Sequence, residues 1–189
     1  TVCIIEKNGY IGKKINITGK GRCNVTNNCS NNELMHNIPR NPKFLYSAFS
    51  KFSAQDTINF FEDLGVPLKT ERGNRVFPVS DKAMDISKAL ERELKRCGVP
   101  IIKQNVVELI VQDSVCLGVK TDGGDYYGNS VLIATGGKSY MATGSTGDGY
   151  TFAQSVGHTI NKLVPSLVPL VVQEKYCSDM MGLSLKNVK

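Results

Sequence analysis

Apolar and polar positions in the first part of the chain separate a short strand from a long polar connection. Residues 1–6 (TVCIIE) form an apolar run that ends at Glu6, a pattern typical of a buried parallel strand. Residues 7–32 are rich in Gly, Lys and Asn and are too polar for a core element. Connections longer than about 12 to 15 residues without secondary structure of their own are usually functional or disordered. We therefore interpret residues 7–32 as a candidate functional loop.

Two helices are predicted after this loop. The first is expected near residues 42–51. The second begins at Ser53, because Ser53 and Asp56 have the spacing of a capping box, and it ends at Gly65.

The next segment predicts a hairpin and a third helix. Residues 68–70 and 75–77 flank a polar turn that contains glycine, which is a hairpin signal. A helix is predicted to begin at Ser80 and to end at Gly98. Its core-facing positions recur at helical spacing: Ala83, Ile86, Leu90, Leu94 and Cys97.

The remaining pattern is rich in β-forming residues. Residues 106–111 and 115–119 predict two strands, followed by a turn at residues 122–124. Residues 131–135 predict a further strand, which leads into a glycine-rich loop and a helix that starts within residues 145–149. This order of strand, helices, strand and meander predicts an α/β fold with a small antiparallel β layer.

Composition narrows the class of protein. The 189 residues are 41% apolar, which is enough for one globular domain, or for one domain and part of a second. No run approaches the about 20 apolar residues of a membrane span, and the N-terminus lacks the layout of a secretory signal. We predict a cytoplasmic protein with no membrane partner. Because the chain opens at Thr1 inside an apolar run and closes on a strand-like sequence, we expect both ends to be cut edges of a longer protein.

Cysteines and histidines give no metal signal. The six cysteines lack CxxC spacing, so reduced thiols and no metal site are predicted. The two histidines, His36 and His158, have no cysteine or carboxylate at ligand spacing, and we interpret both as structural.

The chain is basic, with 23 Lys and Arg against 17 Asp and Glu and a net charge of +6. Such a balance fits nucleic acid or an anionic small ligand. We find no interleaving of aromatic and basic residues and no recognition-helix pattern beside the charge, so we predict a solvated basic surface and no nucleic-acid partner. The alternative, a basic RNA-associated module, predicts strong salt-dependent affinity for RNA.

Glu6 is the first candidate functional residue. An acidic residue at the carboxyl end of an early parallel strand accepts hydrogen bonds from the ribose hydroxyls of an adenine dinucleotide. The GxGxxG turn that accompanies such a residue would fall before Thr1. An ordinary carboxylate at a strand end is the alternative interpretation.

The second candidate is the run TGKGRCNVTN at residues 18–27. Its glycines present backbone N–H groups, Lys20 and Arg22 supply positive charge, and its Asn and Thr side chains can orient a polar ring or a phosphate. Cys23 lies inside the run and suggests a redox role, with an inert thiol as the alternative. A glycine-rich turn without function is the alternative for the whole run.

The third candidate is VLIATGGKSYMATGSTGDGY at residues 131–150. The glycines that follow Thr135 allow a ligand to approach the backbone closely. The helix start at residues 145–149 favours anions, and we expect Asp148 to cap the helix or to bind a ribityl or ribose hydroxyl.

These motifs together carry a resemblance. They are Glu6-Lys7, residues 19–27, 74–78, 134–139, 143–149 and 165–170. In this order they resemble the bacterial FAD-containing, NAD(P)/FAD-dependent oxidoreductase family that includes aminoacetone oxidase and a bile-acid dehydro-reductase.

The resemblance implies a Rossmann-like FAD-binding domain of the two-dinucleotide-binding type over residues 1–164. The start of a β-rich inserted substrate domain would follow over residues 165–189. By the same resemblance, Glu6 would hold the adenosine ribose, Lys7 beside it would be a further cofactor-binding residue, and Val107 would meet adenine through its backbone. The other implied cofactor-binding residues are Gly21, Arg22, Cys23 and Asn24 beside the flavin, and Thr135, Gly136, Gly137 and Asp148 near the dinucleotide.

The implied function is FAD-dependent hydride transfer between a small organic substrate, or NAD(P)H, and the flavin. Arg22 and Asn24 are the candidates for stabilising a reduced flavin or a substrate carbonyl, and no side chain is assigned as an acid or base. The alternative is a non-catalytic FAD-binding or regulatory protein of the same fold. Substrate identity, catalytic side chains and oligomeric state stay open at this level.

Overall fold

The computed structural model describes residues 1–165 and 171–183. The chain divides into two units, Thr1–His158 and Thr159–Lys189. The described part of the second unit contains one short helix, α6 (Tyr176–Asp179). The predicted motif at 165–170 falls almost entirely outside the described residues, and the domain boundary at 164 stays a prediction.

A parallel strand pair begins the first unit. Strand β1 (Ile4–Ile5) pairs in parallel with β5 (Ile101–Ile102), and the amide of Glu6 donates to the carbonyl of Ile102 at 2.9 Å. The predicted strand at residues 1–6 is therefore shorter than expected, because only its last two apolar residues pair, and these are half-buried rather than buried. Glu6 lies directly after the carboxyl end of β1, as predicted.

Four helices lie between β1 and β5: α1 (Asn31–His36), α2 (Tyr46–Lys51), α3 (Ala54–Asp63) and α4 (Ala83–Arg96). A 3-10 turn (Pro42–Leu45) precedes α2, so the predicted helix at 42–51 is present in two parts. The capping box at the start of α3 is confirmed.

The start of α4 differs from the prediction. The helix begins at Ala83 rather than Ser80, because Asp81 adopts a left-handed φ of +56° that no right-handed helix includes. Ser80 instead donates a hydrogen bond to the carboxylate of Asp85, across this turn.

Antiparallel strands form a small sheet in the order β2-β4-β3. The predicted hairpin is confirmed as β3 (Leu68–Glu71) and β4 (Arg75–Pro78). Strand β2 (Thr26–Asn27) lies inside the polar loop, where its composition gives no strand signal. Helices α3 and α4 pack beside this sheet around a core of Cys23, Phe61, Val66, Ala83, Ile86 and Ala89.

A second antiparallel sheet follows β5. It consists of β6 (Val106–Gln112), β7 (Val115–Thr121) and β8 (Gly124–Tyr127). The first two strands are confirmed, and β8 was not predicted because its residues read only as a turn with polar neighbours. Helix α5 (Asp148–Ser155) packs Phe152 against Leu109 and Val119 of this sheet.

The predicted strand at residues 131–135 is wrong. Its residues belong to no sheet in the described structure, and the side chain of Leu132 is 91% exposed. An apolar run becomes a strand only when a neighbouring strand pairs with its backbone, and no described strand does so. Val131 instead packs on the Phe152 cluster, and the hydroxyl of Thr135 accepts a hydrogen bond from the amide of Gly149.

Candidate functional site

Three segments that are distant in sequence meet at the carboxyl end of β1. They are residues 6–8, residues 135–137 and the loop 139–148 that leads into α5. Side-chain hydrogen bonds join the first segment to the loop, and Thr135 joins the second to α5. In α/β folds, ligands bind at the carboxyl ends of parallel strands, so this group is the candidate site.

Asn8 holds the carboxylate of Glu6. Oε1 of Glu6 accepts a hydrogen bond from the backbone amide of Asn8 at 2.7 Å and another from its side-chain Nδ2 at 2.7 Å. The same Nδ2 lies 3.4 Å from the carbonyl oxygen of Thr143. No other described side chain donates to Glu6, and its Oε2 receives no hydrogen bond within residues 1–165 and 171–183. Asn8 was not recognised in the sequence, since a single Asn in a polar loop carries no signal.

Lys7 joins the same strand end to the start of α5. Its Nζ donates to the hydroxyl of Thr146 at 2.5 Å and to the carboxylate of Asp148, and the Thr146 hydroxyl donates to the other Asp148 oxygen at 2.7 Å. The hydrogen bond from Lys7, together with that from Thr146, lowers the pKa of Asp148. Asp148 is the first residue of α5, where a negative charge favours the helix dipole, while Gly147 occupies the cap position. The carboxylate is thus held by Lys7 rather than capping the helix.

Two glycines allow these segments to approach one another. Gly136 has a φ of +74°, and a Cβ at that position would lie 3.1 Å from the Ser145 hydroxyl. Gly144 has a φ of +91°, and a Cβ there would lie 2.5 Å from Nδ2 of Asn8. Both positions therefore require glycine for backbone conformation and for space. Thr135 and Gly136 are exposed, so this backbone is open to a ligand.

Lys14 supplies a second cation to the group. Its Nζ donates to the carbonyl and hydroxyl oxygens of Ser139, at 2.9 and 3.2 Å, and to the hydroxyl of Ser145 at 3.1 Å. Lys14 is half-buried and forms no ion pair with the described residues, whereas the charge of Lys7 is balanced by Asp148. The Lys13-Lys14 pair is evident in the sequence. Ser145, which Lys14 contacts, lies 131 positions away, so no sequence pattern indicates this contact.

The motif around Arg22 occupies a different place. The guanidinium of Arg22 lies 4.1 Å from the centre of the Phe77 ring and forms ion pairs with Glu71 and Asp81. The hydrogen bond to Glu71, then that to Asp81, raises the pKa of Arg22, and its charge is compensated. Within the described residues no hydrogen bond joins Arg22 to the Glu6 group. Its expected position beside a flavin stays a prediction.

The residues next to Arg22 differ in their exposure to solvent. Cys23 is buried in the α3–α4 core, and this burial raises the pKa of its thiol. Gly21 has a positive φ and is the last residue of a 3-10 segment (Ile15–Gly21), while Asn24 is exposed. A buried thiol with a raised pKa is poorly suited to nucleophilic or redox chemistry.

Val107 lies at an irregularity in β6. The register pairs Val106 with Thr121 and Glu108 with Lys120, so that Val107 has no partner on β7. Its side chain is 56% exposed. Such a bulge leaves backbone polar groups outside the ladder, where they are available to a ligand. Val107 follows β5, the strand paired with β1, by five positions.

Other site classes find no support in the described residues. No group of His, Cys, Asp and Glu there could hold a metal ion, and all six cysteines are free thiols. Within the same residues, no helix has the length and apolar character to cross a membrane. His158 borders an apolar cavity of about 310 Å³ beside Leu109 and Val131, without an acidic partner among its lining residues.

One aromatic and basic segment was overlooked in the sequence. Residues 34–55 contain no Asp or Glu, and three cations are interspersed with aromatic residues between 40 and 52. Phe44, Tyr46 and Phe52 are 80%, 68% and 51% exposed. Arg40, Lys43 and Lys51 are exposed beside them. The interleaving that the sequence analysis did not find is therefore present on this surface.

Comparison with known proteins agrees with this architecture. The family described as "HI0933-like protein Rossmann domain" matches residues 1–189. In solved structures, the open conformation of a flavocytochrome c3 fumarate reductase has a TM-score of 0.55 and 21% identity, and the match covers 84% of this chain and 36% of that one. The α/β Rossmann-like fold class predicted from the sequence is confirmed.

Curated relatives extend beyond this chain. The 3-dehydro-bile acid delta(4,6)-reductase of Clostridium scindens is 37% identical over 173 residues, which are 92% of this chain and 42% of the relative. Two ribosomal RNA dihydrouridine synthases are 26% identical: that of Haemophilus influenzae covers 98% of this chain and 47% of its own length, and that of Escherichia coli 97% and 45%. The chain spans less than half the length of these relatives.

Proposed function

The chain belongs to the HI0933-like Rossmann-domain family, and from this premise we propose that its protein is an FAD-dependent reductase of a small organic substrate. The family resemblance predicted from the sequence is confirmed. In this role, the residues around Glu6 bind the cofactor and NAD(P)H is the electron donor. The substrate carries an activated carbon–carbon double bond.

The position of Glu6 carries the proposal. The carboxylate follows the carboxyl end of a parallel strand, one oxygen is held by Asn8, and the other receives no hydrogen bond from the described residues. This arrangement fits the ribose of an adenine dinucleotide, since its hydroxyls donate hydrogen bonds to an acidic side chain at that place. FMN has no adenosine, so the proposal favours FAD.

The surrounding residues fit the rest of such a cofactor. Val107 offers backbone groups outside the ladder for an adenine ring, and the exposed backbone at Thr135 and Gly136 allows close approach. Lys14 supplies a positive charge that no described carboxylate balances. When bound, the flavin supplies the hydride chemistry, while the protein binds and orients it.

The names of the relatives support the class of reaction. A delta(4,6)-reductase of a 3-dehydro bile acid and a dihydrouridine synthase both act on a ring carbon–carbon double bond conjugated with a carbonyl group. Hydride addition to such a bond is favoured because the carbonyl oxygen takes up the developing negative charge. We therefore assign an α,β-unsaturated ring ketone as the substrate class.

The test uses the full-length protein under anaerobic conditions. Reduction by NADPH or NADH should bleach the flavin absorbance, and a steroid 4,6-dien-3-one should restore it while its double bond is reduced. The corresponding saturated ketone is the control and should leave the flavin reduced. Absence of flavin after reconstitution would overturn the proposal. A flavin that is never bleached by the nicotinamides would favour the non-catalytic alternative instead.

A second candidate function is the reduction of uridine in RNA. The exposed aromatic and basic residues between 40 and 52 favour it, because stacking side chains interleaved with cations are suited to single-stranded nucleic acid. The two dihydrouridine synthases among the relatives point the same way. This candidate would replace the prediction of no nucleic-acid partner.

Salt dependence separates the two candidates. If Lys43 and Lys51 contact phosphates, replacing both by Gln should lower the magnitude of the salt slope for single-stranded RNA binding by about 1 to 1.5. Lys88→Gln with Lys95→Gln, the same charge change on exposed positions of α4, is the matched control. Equal slopes for both double variants, together with RNA uridine that stays unreduced, would exclude the RNA function.

A further inference from the structure

Hydrogen bonds from Asn8 hold the side chain of Glu6 in its orientation. Both hydrogen bonds to its Oε1 come from Asn8, one from the main chain and one from the side chain. The backbone bond persists with any residue at position 8 except proline. The Nδ2 bond depends on the asparagine amide, and hydrogen bonds to a charged acceptor are among the stronger ones in proteins.

The Asn8 amide also contacts the loop before α5. Its Nδ2 lies 3.4 Å from the carbonyl oxygen of Thr143, and the backbone of Gly144 approaches so closely that a Cβ there would lie 2.5 Å from Nδ2 and 3.0 Å from Oδ1. The half-buried amide thus lies between the Glu6 carboxylate and the loop. Two acceptors on one nitrogen, with the Gly144 backbone close beside it, leave this side chain few alternative orientations.

We infer that Asn8 is a positioning residue for the adenosine ribose: through Nδ2 it fixes the carboxylate of Glu6, and Gly144 fixes Asn8. This inference rests on the proposed function, since it concerns how the FAD site reads the ribose. Asn8 itself does not touch the cofactor. Its effect is transmitted through Glu6 alone, which separates it from a residue that only supports the fold.

The quantity to measure is the ratio of the Kd values for FAD and for an analogue with an altered adenosine ribose. The apo form of the full-length protein is titrated with FAD and with an FAD analogue that lacks the adenosine 2′-hydroxyl. We expect the parent to prefer FAD by about tenfold, the size of one hydrogen bond to a charged acceptor. Asn8→Ala should reduce this preference to about twofold, because an unheld carboxylate exchanges the ribose for water more readily. Gly144→Ala should have the same effect, since its Cβ displaces the amide of Asn8.

Three comparisons keep the result interpretable. Asn31→Ala is the matched control, because Nδ2 of Asn31 also donates to a main-chain carbonyl, that of Phe49 at 2.8 Å, away from the Glu6 group. In the Glu6→Ala background, Asn8→Ala should cause no further loss of FAD affinity. Asn8→Ser, which keeps a donor, should retain part of the preference and serves if Asn8→Ala does not fold.

The outcomes separate the inference from the proposed function. A parent that binds no FAD overturns both. A parent that binds FAD, with Asn8→Ala discriminating as well as Asn31→Ala, overturns the inference alone. A loss from Asn8→Ala that adds fully to that of Glu6→Ala also overturns it, because Asn8 would then act independently of Glu6.

Discussion

The ammonium group of Lys7 forms an ion pair with the carboxylate of Asp148, which lies 141 positions later in the chain. This ion pair connects the end of β1 to the first turn of α5, and Thr146 bonds to both partners. Because Glu6 immediately precedes Lys7, the pair also sets the distance between the Glu6 carboxylate and the glycine loop. The site therefore depends on a long-range contact that no local sequence pattern specifies.

The first prediction concerns Asp148 and pH. Lys7 lowers the pKa of Asp148 in the folded protein, so the ionised carboxylate stabilises the fold above its unfolded pKa of about 3.9. That contribution is lost as the pH falls through the lower, folded pKa. Asp148→Asn should therefore lower the free energy of unfolding by about 1 kcal/mol or less near pH 7. The difference from the parent should therefore shrink as the pH falls below about 3.9 and vanish only below the folded pKa of Asp148.

Urea denaturation near pH 7 and at several values below about pH 4 measures this difference. Asp63→Asn is the control, because Asp63 is an exposed carboxylate of α3 that forms no ion pair with the described residues. A difference between the parent and Asp148→Asn that is constant with pH would show that the Lys7 pair does not stabilise the fold.

Structural features that depend on residues close together in the sequence were predicted correctly. The capping box of Ser53 and Asp56, and the hairpin of β3 and β4, involve residues only a few positions apart, so their patterns contain the whole interaction. Glu6 also lies where its apolar run predicted, because a strand end requires only the strand before it. These features depend on chain geometry over short distances.

Features that depend on distant partners were not predictable in the same way. Residues 131–135 are apolar enough for a strand, but a strand also needs a paired neighbour, and none is present in the described structure. The Lys14–Ser145 and Lys7–Asp148 contacts span more than a hundred positions. Asp81 shortens α4 by adopting a left-handed conformation that its sequence context does not indicate.

The second prediction concerns Glu6 and the identity of the cofactor. Mass spectrometry of the group released from the full-length protein should show FAD rather than FMN, since Glu6 is placed for an adenosine ribose. Glu6→Ala should weaken FAD binding by about 1 to 3 kcal/mol, a tenfold or larger increase in Kd. Flavin titration of the apoprotein measures it. An unchanged Kd would show that Glu6 is an ordinary carboxylate at a strand end and does not bind the cofactor.

The third prediction concerns Cys23. Burial raises the pKa of its thiol, and the thiolate is the reactive form, so Cys23 should react slowly with maleimides at neutral pH. Cys3 and Cys97 are exposed and should be modified first. Mass spectrometry of peptides over a time course gives the order of labelling. Rapid modification of Cys23 in the native protein would restore it as a redox candidate.

The fourth prediction concerns Gly136, where the backbone itself is the feature under test. Gly136→Ala places a Cβ in a left-handed conformation, with φ at +74°, and within 3.1 Å of the Ser145 hydroxyl. Left-handed backbone costs a residue with a Cβ about 1 to 2 kcal/mol. Since Ser145 also binds Lys14, the shift should reach the cation of the site. We therefore expect both a lower thermal midpoint and weaker FAD binding.

Gly9→Ala is the matched control for this change. It adds the same methyl group in the same part of the fold, but a Cβ at Gly9 meets no atom within 4 Å and its φ is not in the left-handed region. Gly9→Ala should leave both the thermal midpoint and the FAD affinity near those of the parent. If the two variants behave alike, then close packing of Gly136 against Ser145 does not shape the site, and the glycine there serves only chain flexibility. If Gly136→Ala instead lowers FAD affinity while the midpoint is unchanged, the left-handed backbone carries no stability cost and the methyl group obstructs the cofactor directly.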